Sequence, residues 1–378
     1  MSAPSPSELR RIVLAMLGPT DKQPRLNVED WAAVDDLAHI HRLQPHLHGR
    51  LMRGELTAEP PPSIMTNWAQ AHRSSAISAL THRAELFALT RLLSEHGVVS
   101  IALKGAWLAW YAYSAAAERP VRDLDILVPA DQADEAFLLL LTNEYELEAG
   151  SEDYDEGHRH KPPLLAKSGV RIELHSALKD DSTLAFESTV ISNRVRGSSA
   201  DDPSSYPAAD DMLLHLILHA VYGEISLDVG PLMLCDVDYL LDITTVDWPH
   251  FWRRCEELEI TRGAALVLTI TDRWRREGLV ERSALPATVP ETILQAAPDL
   301  LLQDPSARKS ASLIASLSGR PIPPAKRILA RLTNAKSGGY AKWLSARLDQ
   351  SLRQITSSDV RQTGAALGEL GAWLESAE

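Results

Sequence analysis

RPVRDLDILV, residues 119–128, joins a pair of aspartates to a short apolar run that is typical of a buried strand. Asp123 and Asp125 are two residues apart, so in a strand both carboxylates project from one face while Leu124 points into the core. Neighbouring carboxylates repel each other unless a cation lies between them. Magnesium, which binds carboxylate and phosphate oxygens, is the cation expected here. An isolated Asp-x-Asp pair is common, and it also fits an exposed strand end or a turn.

Two other short apolar runs surround this pair, VVSIAL at 98–103 and VRIELH at 170–175, and helical patterns separate the three. Short strands that alternate with helices indicate an α/β unit. In VRIELH, Glu173 shares a strand face with Arg171 and His175, so its carboxylate is positioned to complete an acidic triad. An acid within an apolar strand needs a partner, and a metal or an arginine would serve. Two-metal chemistry requires such a group near the nucleophile.

The first apolar run ends at Lys104 and Gly105, which are predicted to form a tight turn into a helix. A helix start offers free backbone amides and a positive dipole end, both suited to phosphate. Gly105 would let the backbone approach a ligand closely, and Lys104 would add a point charge. A plain strand-to-helix turn with an exposed lysine is the alternative that this pair leaves open.

Several histidines lie near these motifs. His158 and His160 precede two prolines just before the Glu173 strand, so we expect them at the mouth of the site, in contact with phosphate or an acceptor. A zinc site is disfavoured because His175 is the only other candidate ligand nearby. His215 and His219 are one helical turn apart on an apolar helix, where core or capping roles are favoured over metal binding.

Two other pairs carry weaker signals. Asp236 and Asp238 repeat the Asp-x-Asp spelling, but on a helix residues two apart point in different directions, which makes them weak metal ligands. Cys235 and Cys255 are the only cysteines, and buried thiols are favoured over a disulfide or a zinc site.

The charge of the chain is acidic and unevenly spread. The formal net charge of -13 argues against a protein whose whole surface follows a phosphate backbone. The stretch 306–348 contains no acid and nine basic residues, so it could face a polyanion, although a solvated helix face is favoured. No signal peptide and no membrane-spanning run is recognised, which predicts a cytoplasmic protein without a membrane partner.

Helical patterns dominate both ends of the chain. A pattern from about 64 to 96 contains no internal Pro or Gly, and after about residue 208 the strand signal disappears. The polar, Pro-containing stretch 197–211 reads as a linker. The predicted parts are a helical N-terminal cap (1–95), an α/β core (96–200) and a helical C-terminal domain (201–378).

The order of these motifs carries a family resemblance. LKG at 103–105, a helix with Tyr111 and Tyr113, RPVRDLDILV, GHRHKPPL at 157–164 and VRIELH together resemble the uncharacterised bacterial nucleotidyltransferase family of the DNA polymerase beta-like superfamily. The resemblance covers roughly residues 80 to 275. It implies an α+β fold in which a small mixed-sheet nucleotidyltransferase core is flanked by the two helical domains.

The resemblance also implies roles for individual residues. Gly105 with Lys104 corresponds to the turn that holds the triphosphate, and Arg119 matches the arginine that precedes the acid pair. Asp123, Asp125 and Glu173 correspond to the ligands of two magnesium ions. The usual turn of the superfamily is Gly-Ser or Gly-Gly, so the Lys-Gly turn is a departure.

The implied reaction is magnesium-dependent transfer of a nucleoside monophosphate from a nucleoside triphosphate, with ATP among the candidates. The acceptor would be a hydroxyl or phosphate of a protein, peptide or small molecule, and Lys104, Arg119 or Arg122 would offset the developing charge. Two alternatives stay open. One is a tRNA-modifying or toxin-like transferase that uses the basic 306–348 stretch, and the other is a non-catalytic nucleotide-binding or partner-binding module.

Overall fold

The computed structural model describes residues 4–19, 26, 30–151, 159–179, 184–223, 225–317 and 357–376. Within these ranges the helices are α1 (Pro6–Met16), α2 (Asp30–Ile40), α3 (Gln44–Met52), α4 (Pro62–Glu95), α5 (Gly105–Tyr111), α6 (Ala133–Thr142), α7 (Ala185–Ser192), α8 (Ala209–Tyr222), α9 (Leu232–Ile243), α10 (Trp248–Glu257), α11 (Thr261–Trp274), α12 (Leu279–Ser283), α13 (Glu291–Leu302), α14 (Pro305–Leu317) and α15 (Ser358–Glu375). The strands are β1 (Ile101–Ala102), β2 (Asp123–Leu127), β3 (Glu146–Leu147), β4 (Leu164–Leu165), β5 (Arg171–His175), β6 (Val195–Arg196) and β7 (Ser205–Tyr206).

Five strands form one small mixed sheet in the order β1-β2-β5-β4-β3. The pair β2 and β5 is parallel, whereas the other three pairs are antiparallel. The three predicted strands are therefore present, although β1 is shorter than its apolar run. The α+β prediction with a small mixed sheet is confirmed. The parallel pairing of β2 and β5 builds the candidate site, because it places the acidic residues of β2 beside those of β5.

Two hydrophobic cores hold the molecule together. The sheet packs with α6 and with the second half of α4, where Leu86, Leu89 and Leu93 are buried. Helices from the two ends of the chain share the other core, which contains Trp31 of α2 and Leu367 of α15. The ends of the chain thus pack together beside the sheet. The division at 95/96 and 200/201 stays a prediction, since no boundary follows from this packing.

The segment 197–211, which the sequence analysis reads as a linker, contains a hairpin loop, the strand β7 and the first residues of α8, and its role as a linker stays a prediction. The strands β6 and β7 form a hairpin, and α8 begins at Ala209. Asp202 in the hairpin loop accepts hydrogen bonds from the hydroxyls of Tyr111 (2.5 Å) and Tyr206 (2.8 Å). These bonds give the buried Asp202 carboxylate its partners.

The basic stretch 306–348 lies mostly outside the described residues. Where α14 covers its start, Arg308 is buried and donates a hydrogen bond to the carbonyl of Ser226. That arginine therefore holds the fold together and does not lie on a surface open to a polyanion. Cys235 and Cys255 are buried free thiols, as predicted. None of the helices in the described ranges is both long and apolar enough to cross a membrane.

Candidate active site

Asp125 and Glu173 lie directly opposite each other on the parallel strands β2 and β5. Two residues further along β5, His175 places its Nε2 atom 2.9 Å from Asp125 Oδ1 and 3.7 Å from Glu173 Oε2. One ligand atom from each of the three side chains lies within 4.8 Å of the others. This cluster has the donor atoms and the spacing to hold a metal ion. The sequence placed His175 beside the acids, but not among the metal ligands.

Asp123 lies at the outer end of the same strand face. It is opposite Arg171, whose Nη1 atom is 3.5 Å from Asp123 Oδ2 and also bonds to Glu173. Burial raises the pKa of Asp123, and repulsion from Asp125 and Glu173 raises it further. The sequence-predicted acids Asp123, Asp125 and Glu173 are therefore brought together, with Arg171 between the first and the last.

Asp125 is held as a carboxylate by two partners. Its Oδ1 atom lies 3.1 Å from the Lys104 ammonium and 2.9 Å from His175. Burial alone would raise the pKa of Asp125, but Lys104 and the hydrogen bond from His175 outweigh it and hold this pKa well below its usual range. The acid is consequently ionised and oriented before any ligand arrives.

Lys104, and not Gly105, carries the unusual backbone conformation of the turn. Lys104 has φ 47° and ψ -118°, a conformation that glycine adopts far more easily than lysine. A Cβ atom added to Gly105 would meet Arg119 Nη1 at 3.4 Å and Val121 Cγ2 at 3.5 Å, which are ordinary contacts. Lys104 and Gly105 thus form the predicted turn into α5, with the positive φ at Lys104, and the role of this turn in holding a triphosphate stays a prediction. The helix does begin at Gly105, but it has seven residues, so a phosphate contact there depends on the Lys104 side chain.

Arg119 packs against Gly105 but directs its donors into the protein. Its Nε and Nη2 atoms pair with Asp236 at 2.8 Å and 2.9 Å, and Nη1 donates to the carbonyl of Pro120. Tyr113 adds a hydrogen bond to Asp236 at 2.7 Å. Burial opposes the charge on Arg119, but Asp236 outweighs it and raises the pKa of the guanidinium. Arg119 is thus fixed at the turn as part of a buried network.

The helix α9 provides this partner and separates its two acids. Asp236 faces Arg119, whereas Asp238 pairs with Arg275 (2.7 Å) and Arg276 (2.6 Å). The prediction that the two carboxylates point in different directions is confirmed. Sequence reasoning did not identify Asp236 as the partner of Arg119, because a helix and a loop 117 residues apart in sequence give no local signal.

Arg122 and His160 flank the cluster. Arg122 is exposed next to Asp123 in the chain. His160 forms a backbone bridge to His175, and the centroids of the two rings are 5.2 Å apart. His160 thus lies beside the metal-binding group. His158 falls outside the described residues.

The helix α8 brings two histidines toward the same place. His215 is buried, as predicted, but His219 is exposed although its neighbours from Asp211 to Val221 are buried. His219 is therefore not a core residue, whereas its place in the last turn of α8 is compatible with the predicted capping role. The surrounding protein and then the Lys104 charge lower the pKa of both rings well below the usual value. His219 thus interacts electrostatically with Lys104 and Asp125 of the site.

An arginine from the N-terminal helices also reaches the site. Arg42, between α2 and α3, interacts electrostatically with Arg122 and Asp123. Sequence reasoning missed this residue because it lies about 80 positions before the acid pair, in a helical pattern that contains no motif.

Acids on adjoining parallel strands, with a lysine turn beside them, define an enzyme that transfers phosphorus-containing groups. The chain belongs to the uncharacterised nucleotidyltransferase family, whose model matches residues 27–276 of the 378. The resemblance seen in the motifs is therefore confirmed, and the protein is a nucleotidyltransferase. A comparison with curated proteins finds no match.

Proposed function

We propose that this protein is a magnesium-dependent enzyme that transfers a nucleoside monophosphate from a nucleoside triphosphate to a hydroxyl or phosphate group of an acceptor. The observation that carries this proposal is the register of β2 and β5, which sets Asp125 opposite Glu173 with Asp123 on the same face. Three carboxylates on one face offer oxygens that can hold a metal ion together with the substrate phosphates.

The donor set fits magnesium. Asp123, Asp125 and Glu173 offer hard carboxylate oxygens, which this ion prefers, and the substrate phosphates would supply further oxygens. The His175 imidazole also lies within reach and suits zinc better than magnesium, whereas manganese accepts the same carboxylate oxygens as magnesium, so the choice of metal belongs in the experiment. When bound, magnesium would neutralise charge on the triphosphate and polarise the α-phosphate.

The remaining steps fall to side chains of the chain itself. Glu173, oriented by Arg171, accepts the proton of the attacking group. The acceptor oxygen forms a bond to the α-phosphorus while the bond to the β-phosphate breaks, and pyrophosphate leaves. Lys104 and the exposed Arg122 offset the charge that develops on the phosphates.

The acidic chain favours a protein, peptide or small-molecule acceptor in the cytoplasm over RNA. The net charge of -13 disfavours a long phosphate backbone, and Arg308 in the basic stretch is buried. A transferase that modifies tRNA, or a module that binds nucleotide without catalysis, would give different outcomes in the same experiment.

The test is a calorimetric titration with each of the four nucleoside triphosphates, with and without magnesium or manganese. It compares the wild type with the double variant Asp123→Asn/Asp125→Asn. A matched control is Glu256→Gln/Glu257→Gln, which removes two exposed charges from α10. We expect metal-dependent binding by the wild type and the control, and none by the Asp variant. Absence of binding by the wild type would contradict the proposal.

Transfer itself is measured with triphosphates labelled at the α-phosphate, incubated with proteins, small hydroxyl compounds or tRNA. Label on a protein or small molecule supports the favoured acceptor class. Label only on tRNA would favour the RNA alternative. Metal-dependent binding without transfer to any acceptor would favour the non-catalytic module.

A further inference from the structure

The inner cluster of the candidate site consists of Asp125, Glu173 and His175. One donor atom from each side chain lies within 4.8 Å of the others. His175 Nε2 is 2.9 Å from Asp125 Oδ1 and 3.7 Å from Glu173 Oε2. Two ligands bonded to one ion at about 2.1 Å lie about 3.0 Å apart at right angles and about 3.4 Å apart in a tetrahedron. The imidazole therefore lies at the separation expected of a direct metal ligand.

The hydrogen bond between His175 and Asp125 is compatible with this role. The proton of a neutral imidazole can reside on Nδ1, which leaves the lone pair of Nε2, the nitrogen that faces both acids, for an ion. Asp125 also lies 3.1 Å from the Lys104 ammonium. Because a carboxylate has about four lone-pair sites, Asp125 can accept the ammonium and bind an ion at the same time. The cluster thus offers two carboxylates and one nitrogen to a divalent ion.

The outer pair of acids, Asp123 and Glu173, is already bridged by a cation of the protein. Arg171 Nη1 bonds to Glu173 Oε1 and lies 3.5 Å from Asp123 Oδ2. The Nε atom of Arg171 is held by Glu148 Oε2 at 2.9 Å. The strands fix this arrangement, because Arg171 lies opposite Asp123 and two residues before Glu173 on the same face of β5. A guanidinium therefore lies where an ion shared by Asp123 and Glu173 would bind.

The charges of the site favour one ion over two. Its members are four carboxylates and two cationic side chains, namely Asp123, Asp125, Glu148, Glu173, Lys104 and Arg171. With the carboxylates ionised, the site keeps two negative charges, which a single divalent ion neutralises. A second ion between Asp123 and Glu173 would meet the guanidinium of Arg171, which is always charged, and the two cations would repel each other.

We propose that, without nucleotide, the protein binds one divalent metal ion through Asp125, Glu173 and His175, and that Arg171 takes the place of a second ion between Asp123 and Glu173. This inference rests on the proposed function and deepens it, because it adds a nitrogen ligand and a protein cation to a site that the sequence presents as three acids and two ions. An imidazole among the ligands also favours manganese over magnesium, since nitrogen ligands bind transition metals better.

Manganese is the probe, because electron paramagnetic resonance counts the free ion and pulsed measurements detect nitrogen bound to it. Titration of the wild type without nucleotide should show one Mn²⁺ per chain, coupled to an imidazole nitrogen. Magnesium should displace it only at a concentration about tenfold or more higher than that of Mn²⁺. The surface variant Glu256→Gln/Glu257→Gln is the control and should match the wild type in both readouts.

Two variants of His175 separate loss of the nitrogen from loss of the fold. His175→Ala removes a ligand, so the Kd for Mn²⁺ should rise by at least the about ten- to hundred-fold that loss of an outer-shell partner costs. His175→Glu replaces the nitrogen by a carboxylate oxygen, so it should bind Mn²⁺ more tightly than His175→Ala but without nitrogen coupling. A Tm near that of the wild type, measured with a chelator present, shows that both variants are folded.

Two variants of Arg171 test the protein cation. Arg171→Gln keeps a hydrogen-bonding side chain but removes the positive charge between Asp123 and Glu173, so this variant should bind two Mn²⁺ ions per chain. Arg171→Lys keeps a positive charge at the same position and should bind one ion, like the wild type.

Each other outcome overturns the inference. Mn²⁺ bound to the wild type without nitrogen coupling, or an unchanged Kd in His175→Ala, would show that His175 is not a ligand. Two ions per chain in the wild type, or only one in Arg171→Gln, would show that Arg171 does not take the place of an ion. Mn²⁺ binding only together with a triphosphate would overturn this inference and leave the proposed function standing. Failure of the wild type to bind any triphosphate with metal would instead overturn the proposed function.

Discussion

The two ends of β2 hold their carboxylates in opposite ways. At the inner end, Asp125 is 8% exposed and is matched by Lys104 and His175 at hydrogen-bonding distance. At the outer end, Asp123 is 24% exposed, and its nearest cation, Arg171, is 3.5 Å away and shared with Glu173. Asp125 thus has two partners of its own within the protein, whereas Asp123 shares its one partner with Glu173.

This difference indicates a division of work between the two ends. A buried carboxylate must be neutralised for the chain to fold, so the partners of Asp125 serve the protein as much as the substrate. A half-buried acid repelled by its neighbours gains its partners when a metal and a phosphate chain arrive together. The comparison predicts that variants at the two ends differ in stability more than in activity.

The largest effects are expected from Asp125→Asn and Asp123→Asn. Each removes a carboxylate that the proposed function assigns to the metal, so transfer should fall by about a thousandfold or more in both. Stability should separate them. Asp125→Asn leaves the half-buried Lys104 without its acid and should cost about 3 kcal/mol, whereas Asp123→Asn removes repulsion and should be neutral or stabilising by up to about 1 kcal/mol.

Denaturant unfolding in the presence of a chelator measures this difference, because a bound metal would hide it. The exposed-charge variant Glu256→Gln/Glu257→Gln serves as the control and should unfold like the wild type. Equal destabilisation by Asp123→Asn and Asp125→Asn would remove the distinction between the two ends of β2.

A smaller effect is expected at the Lys104 turn, where the side chain and the backbone can be separated. Lys104→Gly and Lys104→Ala both remove the ammonium, so both should reduce transfer by about ten- to hundred-fold. Lys104→Gly should nevertheless be more stable than Lys104→Ala by about 1 kcal/mol, because only glycine relaxes the backbone at φ 47°. Steady-state kinetics and denaturant unfolding on the same preparations check both values. Equal stability of the two variants would show that this backbone is not strained.

How much of the site could be predicted from the sequence depends on how far apart in the chain the interacting residues lie. The period of two in DLD and RIELH identified the face that carries Asp123, Asp125 and Glu173, because alternation is a local property of a strand. The register that sets Asp125 opposite Glu173 was not predictable, since it depends on packing between segments 48 residues apart. Asp236 reaches Arg119 through packing between distant segments, which leaves no pattern in the chain.

Long helices were the easiest elements to predict from the sequence, and very short strands were the hardest. The helix predicted from about 64 to 96 corresponds to α4, whose 34 residues repeat the helical period many times. The strands β3 and β4 have two residues each, too few for any alternation to be read. The left-handed conformation of Lys104 was missed because propensity assigns such a turn to the adjacent glycine.

The buried network of Arg119 and Asp236 offers a further test, at a distance from the proposed metal site. Asp236→Asn would leave the Arg119 guanidinium buried with half of its pairing lost, so we expect a loss of about 3 kcal/mol in stability. Transfer should fall by about tenfold, because Arg119 packs against Gly105 and positions the turn without touching substrate. Asp236 is a positioning residue in this view, so kcat should fall while the affinity for magnesium nucleotide changes little. A loss of affinity as large as that of Lys104→Ala would instead place Arg119 on the phosphates.

The smallest effect is expected from Tyr113→Phe, which removes only the hydroxyl that donates to Asp236 at 2.7 Å. Asp236 keeps both bonds from Arg119, so the geometry of the turn survives. We expect about 1 kcal/mol of destabilisation and a change in transfer of less than about threefold. Denaturant unfolding and kinetics, run beside Asp236→Asn, measure the two contributions. If Tyr113→Phe lowered transfer as much as Asp236→Asn, the hydroxyl would be essential to the turn, and Arg119 alone would not be enough to hold it.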